Sequence, residues 1–288
     1  MQTRRVELVT AIANWTRSPV TTALGASTLA ELAPGRYRFG LGAIPPSWSQ
    51  DWHGLDGSHP VERMRDFVAA VRAAWTSGPG RPAAHEGPFY SFRDYERPTE
   101  PAHGPIPLYL AGNRPRMIEL AGEVADGAIF AFLHSAEWLR EVGLPTVERG
   151  LARAGRSRSS FDVGHIVFCA VAGSEAEAYD LLRPGLAFHF PRFRDILADH
   201  GFADELHGAV SDRAVEAMCI AGTPQQVRDK LRRYEGIVDW PCLMPPLGLP
   251  PAVSREQVRR IIDAFRQPAA AVAPAAPAAA QAPPAPAS

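Results

Sequence analysis

Apolar positions along the chain recur at two spacings, and the two spacings alternate. Short apolar runs at residues 6–13, 37–41, 106–111, 128–132, 162–172 and 240–244 predict strands. Helical patterns lie between them. The clearest is Pro60–Trp75, where Val61, Met64, Phe67, Val68, Val71 and Trp75 share one face. Ser18-Pro19 predicts an N-cap with proline at the first helical position, opening a helix that runs through Leu32 to a break at Pro34-Gly35. A turn at residues 112–115 opens a helix carrying Met117, Ile118, Ala121 and Val124, and residues 135–154 read as helical. Ser174 with Glu177, Thr223 with Gln226 and Ser254 with Gln257 each have capping-box spacing. The last of these opens a helix with Val258, Ile261, Ile262 and Phe265 on one side. Residues 43–59 and the Gly- and Pro-rich residues 76–105 read as loops, and residues 184–218 have mixed helical character.

Six strands, each followed by helix, imply a parallel sheet with right-handed crossovers. Two closures satisfy that pattern: an open doubly wound sheet and a (β/α)8 barrel, of which six strands would be two short. No repeat beyond the βα rhythm is visible.

Composition narrows the picture. The chain has 288 residues, 46% of them hydrophobic, enough for a large core. From Pro268 onwards it is almost wholly Ala and Pro, without charge, which predicts a tail (267–288) outside the folded body at residues 1–266. A net charge of −1 gives no electrostatic footprint for nucleic acid or an anionic membrane. No apolar run reaches the roughly 18 residues of a membrane span, and the first residues lack the apolar stretch of a secretory signal. Cys169, Cys219 and Cys242 are widely spaced, with no metal-binding pattern, which favours a reducing, cytoplasmic setting. Cys169 and Cys242 read as small core residues and His165, inside a strand, as structural.

Candidate chemistry gathers where strands end, because ligands of parallel α/β folds bind at carboxyl ends. Ala111-Gly112-Asn113-Arg114-Pro115-Arg116 joins a strand to a helix. Small residues admit a ligand, and the free N–H groups of a helix start, with Arg114 and Arg116, favour an anion. Gly40-Leu41-Gly42 ends a strand, and glycines there let a flat ring approach the backbone. Asn14-Trp15-Thr16-Arg17 follows the first strand; Trp15 is either a ring wall or core. His53 and His59, with Asp51, lie in the loop after Gly42, and a histidine there suits proton transfer near neutral pH. No nucleophile elbow, zinc motif or phosphate-binding loop occurs.

Four segments in order then carry a resemblance: residues 13–19 (ANWTRSP), 35–42 (GRYRFGLG), 60–75, and 107–127 with its LYLAGNRPRM and LAGEVADG. Together they resemble the luciferase-like monooxygenase superfamily, and within it the branch that uses the deazaflavin coenzyme F420, such as methylenetetrahydromethanopterin reductase. The resemblance spans residues 3–266. It implies a TIM (β/α)8 barrel of the luciferase-like type, N-terminally incomplete, with about six βα units. The segment ending at Pro19 resembles the family's third strand, so the first two units are expected to be absent. A clipped gene start is one expected reason. The acidic or histidine residue expected near the reacting ring would then lie upstream of Met1, with His53 the candidate inside this chain.

The resemblance further implies a cofactor site at Ala13, Asn14, Trp15, Gly42, Ala43, Ala111, Gly112, Asn113, Arg114 and Arg116, with no metal. The loop at residues 13–15 corresponds to a family bulge with a non-prolyl cis peptide. The family usually has Gly where Arg114 stands. The implied function is an oxidoreductase that transfers a hydride between coenzyme F420 and a small organic substrate. The alternative is an FMN-dependent monooxygenase. A further reading, from a different class, is a non-catalytic relative or a partner of a full-length barrel. No nucleic-acid or membrane partner is expected; a homodimer is.

Overall fold

The computed structural model describes residues 6–102, 104–207 and 210–266. The Ala/Pro tail and the first five residues of the chain lie outside the described residues.

Strand β1 (Leu8–Ala13) leads through helix α1 (Pro19–Leu32) to β2 (Tyr37–Gly42). The Ser18 hydroxyl accepts from Thr21 N and Pro19 takes the first helical position, as the sequence requires. Residues 43–59 are not one loop: they hold a short helix, α2 (Pro46–His53), closed by Gly54 in the left-handed conformation. Helix α3 (Pro60–Trp75) follows with the expected boundaries, burying Met64, Phe67, Val68 and Val71. Residues 76–105 hold an antiparallel hairpin, β3 (Ala83–Glu86) and β4 (Ser91–Tyr95), rather than only loop.

The βα rhythm then resumes with β5 (Leu108–Ala111), α4 (Pro115–Val124) and β6 (Gly127–Phe130). Helices α5 (Ala136–Trp138) and α6 (Leu144–Arg153) run on from each other through a wide turn at Leu139–Gly143. Strand β7 (Asp162–Val171) is the longest, at 10 residues. After it comes the helix opened by Ser174, α7 (Glu175–His189); the stretch of mixed character holds its end, α8 (Arg194–Asp199) and α9 (Asp212–Met218), and a short strand that the pattern does not predict follows, β8 (Cys219–Gly222). Helix α10 (Pro224–Leu231) opens with a complete Thr223–Gln226 capping box. Strand β9 (Trp240–Met244) and helix α11 (Pro251–Phe265) complete the described chain.

All sheet pairings among β1, β2, β5, β6, β7, β8 and β9 are parallel. The order is β1-β2-β5-β6-β7-β8, with β9 also on β7. Strand β7 is shared along its length. Its first residues, Asp162–His165, pair with β6, its middle, Gly164–Phe168, with β9, and its last four, Phe168–Val171, with β8. This is the six-unit β/α barrel arrangement the resemblance implies, with β8 as an addition. Among the described residues β1 pairs with β2 alone and β9 with β7 alone, so the sheet stays open between those two edges. Leu8, Val9 and Ile12 are exposed along one edge. Cys242, expected in the core, is exposed on the other. Cys169, by contrast, is buried.

Alternation along each strand sorts side chains onto two faces. Phe39, Leu41, Leu108, Leu110, Ala128 and Phe130 join Ala23, Val68, Ile118 and Val147 of the helices in the main core. Their neighbours Arg38, Gly40, Gly42, Tyr109, Ala111, Gly127 and Ile129 fall on the opposite, inner face. Near the amino ends of the strands this face is held by a polar group. Arg38 donates to Tyr109 Oη (2.7 Å) and Asp162 Oδ2 (2.8 Å), and Tyr109 Oη donates to Asp162 Oδ2 (2.5 Å). A second core, formed by α7–α9 and β8, packs on Phe168 and Ala170 of β7 and on Leu133 just beyond β6. The segment after β7 thus covers the carboxyl half of that strand. Lys230, the chain's sole lysine, ties this segment to α10 through ion pairs with Glu175 (2.8 Å) and Glu216 and a hydrogen bond to Tyr179 (3.1 Å).

Two expectations of capping change. Ser174 does cap α7, but Glu177 reaches back to Gly173 N (3.0 Å) instead of the cap residue itself. Ser254 is not a cap at all, because α11 already begins at Pro251 after Pro250. Its supposed partner Gln257 is 3% exposed and turned to β7 instead. His165 is fully buried, as a structural histidine should be, and donates through Nδ1 to Phe130 O (3.3 Å).

Candidate active site at the carboxyl rim

The register of the sheet brings most of the sequence candidates to one level. Ala13 pairs with Leu41, Gly42 with Ala111, and Ala111 with Ile129. The rim at the ends of β1, β2, β5 and β6 is therefore made of small and apolar residues. Two glycines at the end of β2 leave space that their neighbours fill. A Cβ on Gly40 would lie 2.3 Å from Thr10 O, and one on Gly42 would lie 2.3 Å from Ile12 Cδ1 and 3.2 Å from Ala111 Cβ. The side chain of Ile12 thus leans directly over Gly42 and beside Ala111. The non-prolyl cis peptide lies at Ala11–Ile12, within β1, and the pairing with β2 shifts register between Thr10 and Ala13. The bulge is thus two residues earlier than the loop at 13–15 to which the resemblance assigned it. Ile12 is the residue the sequence reading missed. Its signal was present in the apolar run of β1, but its contact with Gly42 spans 30 residues.

The turn after β5 is knit to β6. Gly112 N donates to Ile129 O (3.2 Å), and Asn113 Oδ1 accepts from Ala131 N (3.2 Å). Asn113 therefore shapes the rim through β6, with its side-chain oxygen already engaged. Both arginines of this turn are also engaged. Arg114 pairs with Asp195 and lies 3.7 Å from Asp199, both on α8. Arg116 pairs with Glu62 of α3 at 2.6 Å. The positive charge expected to hold an anion here is balanced by carboxylates.

Around β1 and β2 the candidates divide. Asn14 Oδ1 accepts from Thr16 N (2.9 Å), a local turn closure. Trp15 is 3% exposed and belongs to the main core, donating through Nε1 to Ser49 Oγ (3.4 Å). It fixes α2 against the rim and does not itself line an open wall. His53 is exposed at the end of α2, and His59 sits before α3 with a positive φ of 52° and its ring 6.5 Å from Phe89. Neither histidine is drawn onto the β5–β6 turn.

A group that sequence reasoning missed packs just beyond β6, against the second core. Phe132, two residues beyond β6, lies 5.0 Å from Phe168 of β7, 4.8 Å from His189 and 5.5 Å from Phe193 (ring centroids). Neither ring nitrogen of His189 has a hydrogen-bond partner, and burial, with the nearby Arg192 charge, moves its pKa down from the ordinary 6.5. His134 is fully buried and stacked on Trp138 (centroids 4.0 Å apart), and burial holds its pKa well below 6.5. These contacts join residues tens of positions apart, and no local motif announces them.

The luciferase-like monooxygenase profile matches residues 1–239. The chain belongs to the luciferase-like monooxygenase family. An uncharacterized protein of Mycobacterium tuberculosis is 33% identical over 296 residues, covering 92% of this chain and 84% of its own. The 5,10-methylenetetrahydromethanopterin reductase of Archaeoglobus fulgidus is 26% identical over 253 residues, with 80% and 74% covered. A putative coenzyme F420-dependent oxidoreductase of Mycobacterium tuberculosis is 26% identical over 276 residues, with 81% and 77% covered. Among solved structures, an F420-dependent secondary alcohol dehydrogenase in complex with an F420-acetone adduct superposes with a TM-score of 0.74 at 19% identity, covering 92% of this chain and 81% of that one. The fold is thus the luciferase-like α/β one, and the family is one of oxidoreductases. None of the helices of the described residues is long and apolar enough to cross a membrane.

Proposed function

We propose that this family member is an oxidoreductase that moves a hydride between the deazaflavin coenzyme F420 and a small organic substrate. The observation that carries the reading is the rim formed by Ile12, Gly42 and Ala111. There, glycine at position 42 leaves room only for the Ile12 side chain, giving a low apolar wall at the carboxyl ends of adjacent strands. A flat tricyclic ring fits against such a wall, and the ring part of the group suits the residues present. The bound deazaflavin supplies the hydride chemistry.

The chain's own contribution is orientation and exclusion of water. Ile12, backed by Gly42 and Ala111, presents an apolar face to a ring. Asn113, fixed on Ala131 N, holds the β5 turn at a set distance from β6. Arg114 and Arg116 fit an anionic tail only by exchanging Asp195 and Glu62 for it, so their share of the site is conditional on that exchange. The relatives' names support F420 over FMN as the cofactor.

The test is a titration of the purified chain with F420 and, separately, with FMN, followed by cofactor fluorescence. Saturable binding of F420 with weaker binding of FMN supports the reading. Tighter binding of FMN moves the chain to the monooxygenase side of the family. Binding of neither overturns a cofactor-dependent activity.

A further inference from the structure

Helix α2 carries two indoles that the proposed hydride transfer does not use. Trp48 and Trp52 are stacked, with ring centroids 4.4 Å apart and planes 19° from parallel. Trp52 is 64% exposed, and Leu55 beside it is 38% exposed. The helix that presents them is firmly held. Its Ser49 is completely buried under the Trp15 indole. Gly57 returns so closely that a Cβ there would lie 2.6 Å from Pro46 Cα, and Gly54 closes the helix with its N–H on Gln50 O (3.0 Å). The whole device starts three residues after Ala43, at the end of β2, and is anchored through the β1 loop. A large aromatic left in water on a rigid support beside a candidate site has the form of a binding surface.

We propose that Trp48 and Trp52 form a stacking platform for a planar, apolar ring system of the substrate. This names the substrate class of the proposed site and rests on that reading. The size of the patch selects the occupant. A stable protein interface needs about 800 Å² and some 20 residues on each side. Here the exposed apolar residues at α2 and its two ends are Pro45, Pro46, Trp52 and Leu55, with Trp48 half-buried, while Ser47, Gln50 and Asp51 are exposed and polar. So few residues fall far short of a protein interface and suit one flat ring system, for which the outer indole face is the natural partner.

The experiment uses the full chain and two probes, planar 2-naphthol and non-planar cyclohexanol. Binding is read by calorimetry and by the near-ultraviolet circular dichroism of the coupled indoles. The expected result is saturable 2-naphthol binding that alters the dichroism, with affinity about tenfold weaker in Trp52→Ala and Trp48→Ala. Trp52→Phe should retain affinity within about threefold. Cyclohexanol should bind far more weakly. Equal 2-naphthol affinity in wild type and Trp52→Ala, or equal affinity for both probes, overturns the platform. A wild-type dimer in sedimentation that dissociates in Trp52→Ala also overturns it, in favour of contact between copies. The F420 titration of the same variants separates the two readings. If F420 fails to bind wild type while 2-naphthol still depends on Trp52, the cofactor reading alone falls. If F420 binds and 2-naphthol ignores Trp52, the platform alone falls.

Discussion

The side-chain amide of Gln257 pairs with both backbone groups of Val171: Oε1 accepts from Val171 N at 3.0 Å, and Nε2 donates to Val171 O at 3.1 Å. A residue of the last helix thus acts as one more strand partner at the end of β7. Gln257→Leu should leave a buried N–H and C=O unsatisfied at a cost of about 2–4 kcal/mol. A urea titration should show a lower midpoint with an unchanged slope. An unchanged midpoint would mean that these two groups find other partners.

The rim glycines should separate folding from binding. Gly40→Ala places a methyl against a backbone oxygen, Thr10 O, which cannot swing away, and should cost about 1–3 kcal/mol. Gly42→Ala meets the far end of Ile12, which can turn. That variant should fold and melt close to wild type while its F420 affinity falls at least severalfold, because Ile12 is pushed out of its place in the wall. Retained F420 affinity in a folded Gly42→Ala chain would show that the ring does not rest there.

Arg114 offers a test of charge. Asp195→Asn, alone or with Asp199→Asn, removes the carboxylates that now balance the guanidinium. Binding of an anionic cofactor should tighten severalfold at low ionic strength, and the gain should shrink as salt is added. Stability should change by less than about 1 kcal/mol, since these pairs are exposed. No gain in affinity at any salt concentration would place the anionic tail away from this turn.

Acid stability should report the Lys230 cluster. Burial by itself raises the Glu216 carboxyl, but hydrogen bonds from Lys230, Tyr179 and Arg233 outweigh it and bring the pKa down from 4.5 to about 2. A carboxyl lowered by folding adds stability above its unfolded value and loses it as pH falls through the folded one. Wild type should therefore lose stability between about pH 4.5 and 2. Glu216→Gln should flatten that part of a denaturation profile. The same acid limb in both proteins would assign it to other carboxylates.

The parts of the fold that could be read from sequence are those specified by neighbours in the chain. Pro60–Trp75 has a proline start and an unbroken apolar face, and its limits came out as expected. The six expected strands of the parallel sheet are apolar runs between turn residues. The β3–β4 hairpin escaped because long-range contacts hold it: Asp66 of α3 bonds to His85 (2.7 Å) and accepts from Phe89 N and Tyr90 N. Gly87 is there because a Cβ would fall 1.8 Å from Asp66 Oδ1. Strand β8 is only four residues long, follows directly on α9 and so has no turn to mark it. At the site, the small residues of the rim were legible as strand ends. The engagement of Arg114 by α8, the burial of Trp15 over α2 and the seat of Ile12 on Gly42 were not, because each depends on how distant segments meet.

The chain holds a single lysine, and its amine is enclosed by Glu175, Glu216 and Tyr179. Reagents that acylate side-chain amines accordingly find none free on the native surface. Modification of Lys230 must wait until α7, α9 and α10 part, so its rate works as a clock for that local opening, read at one side chain.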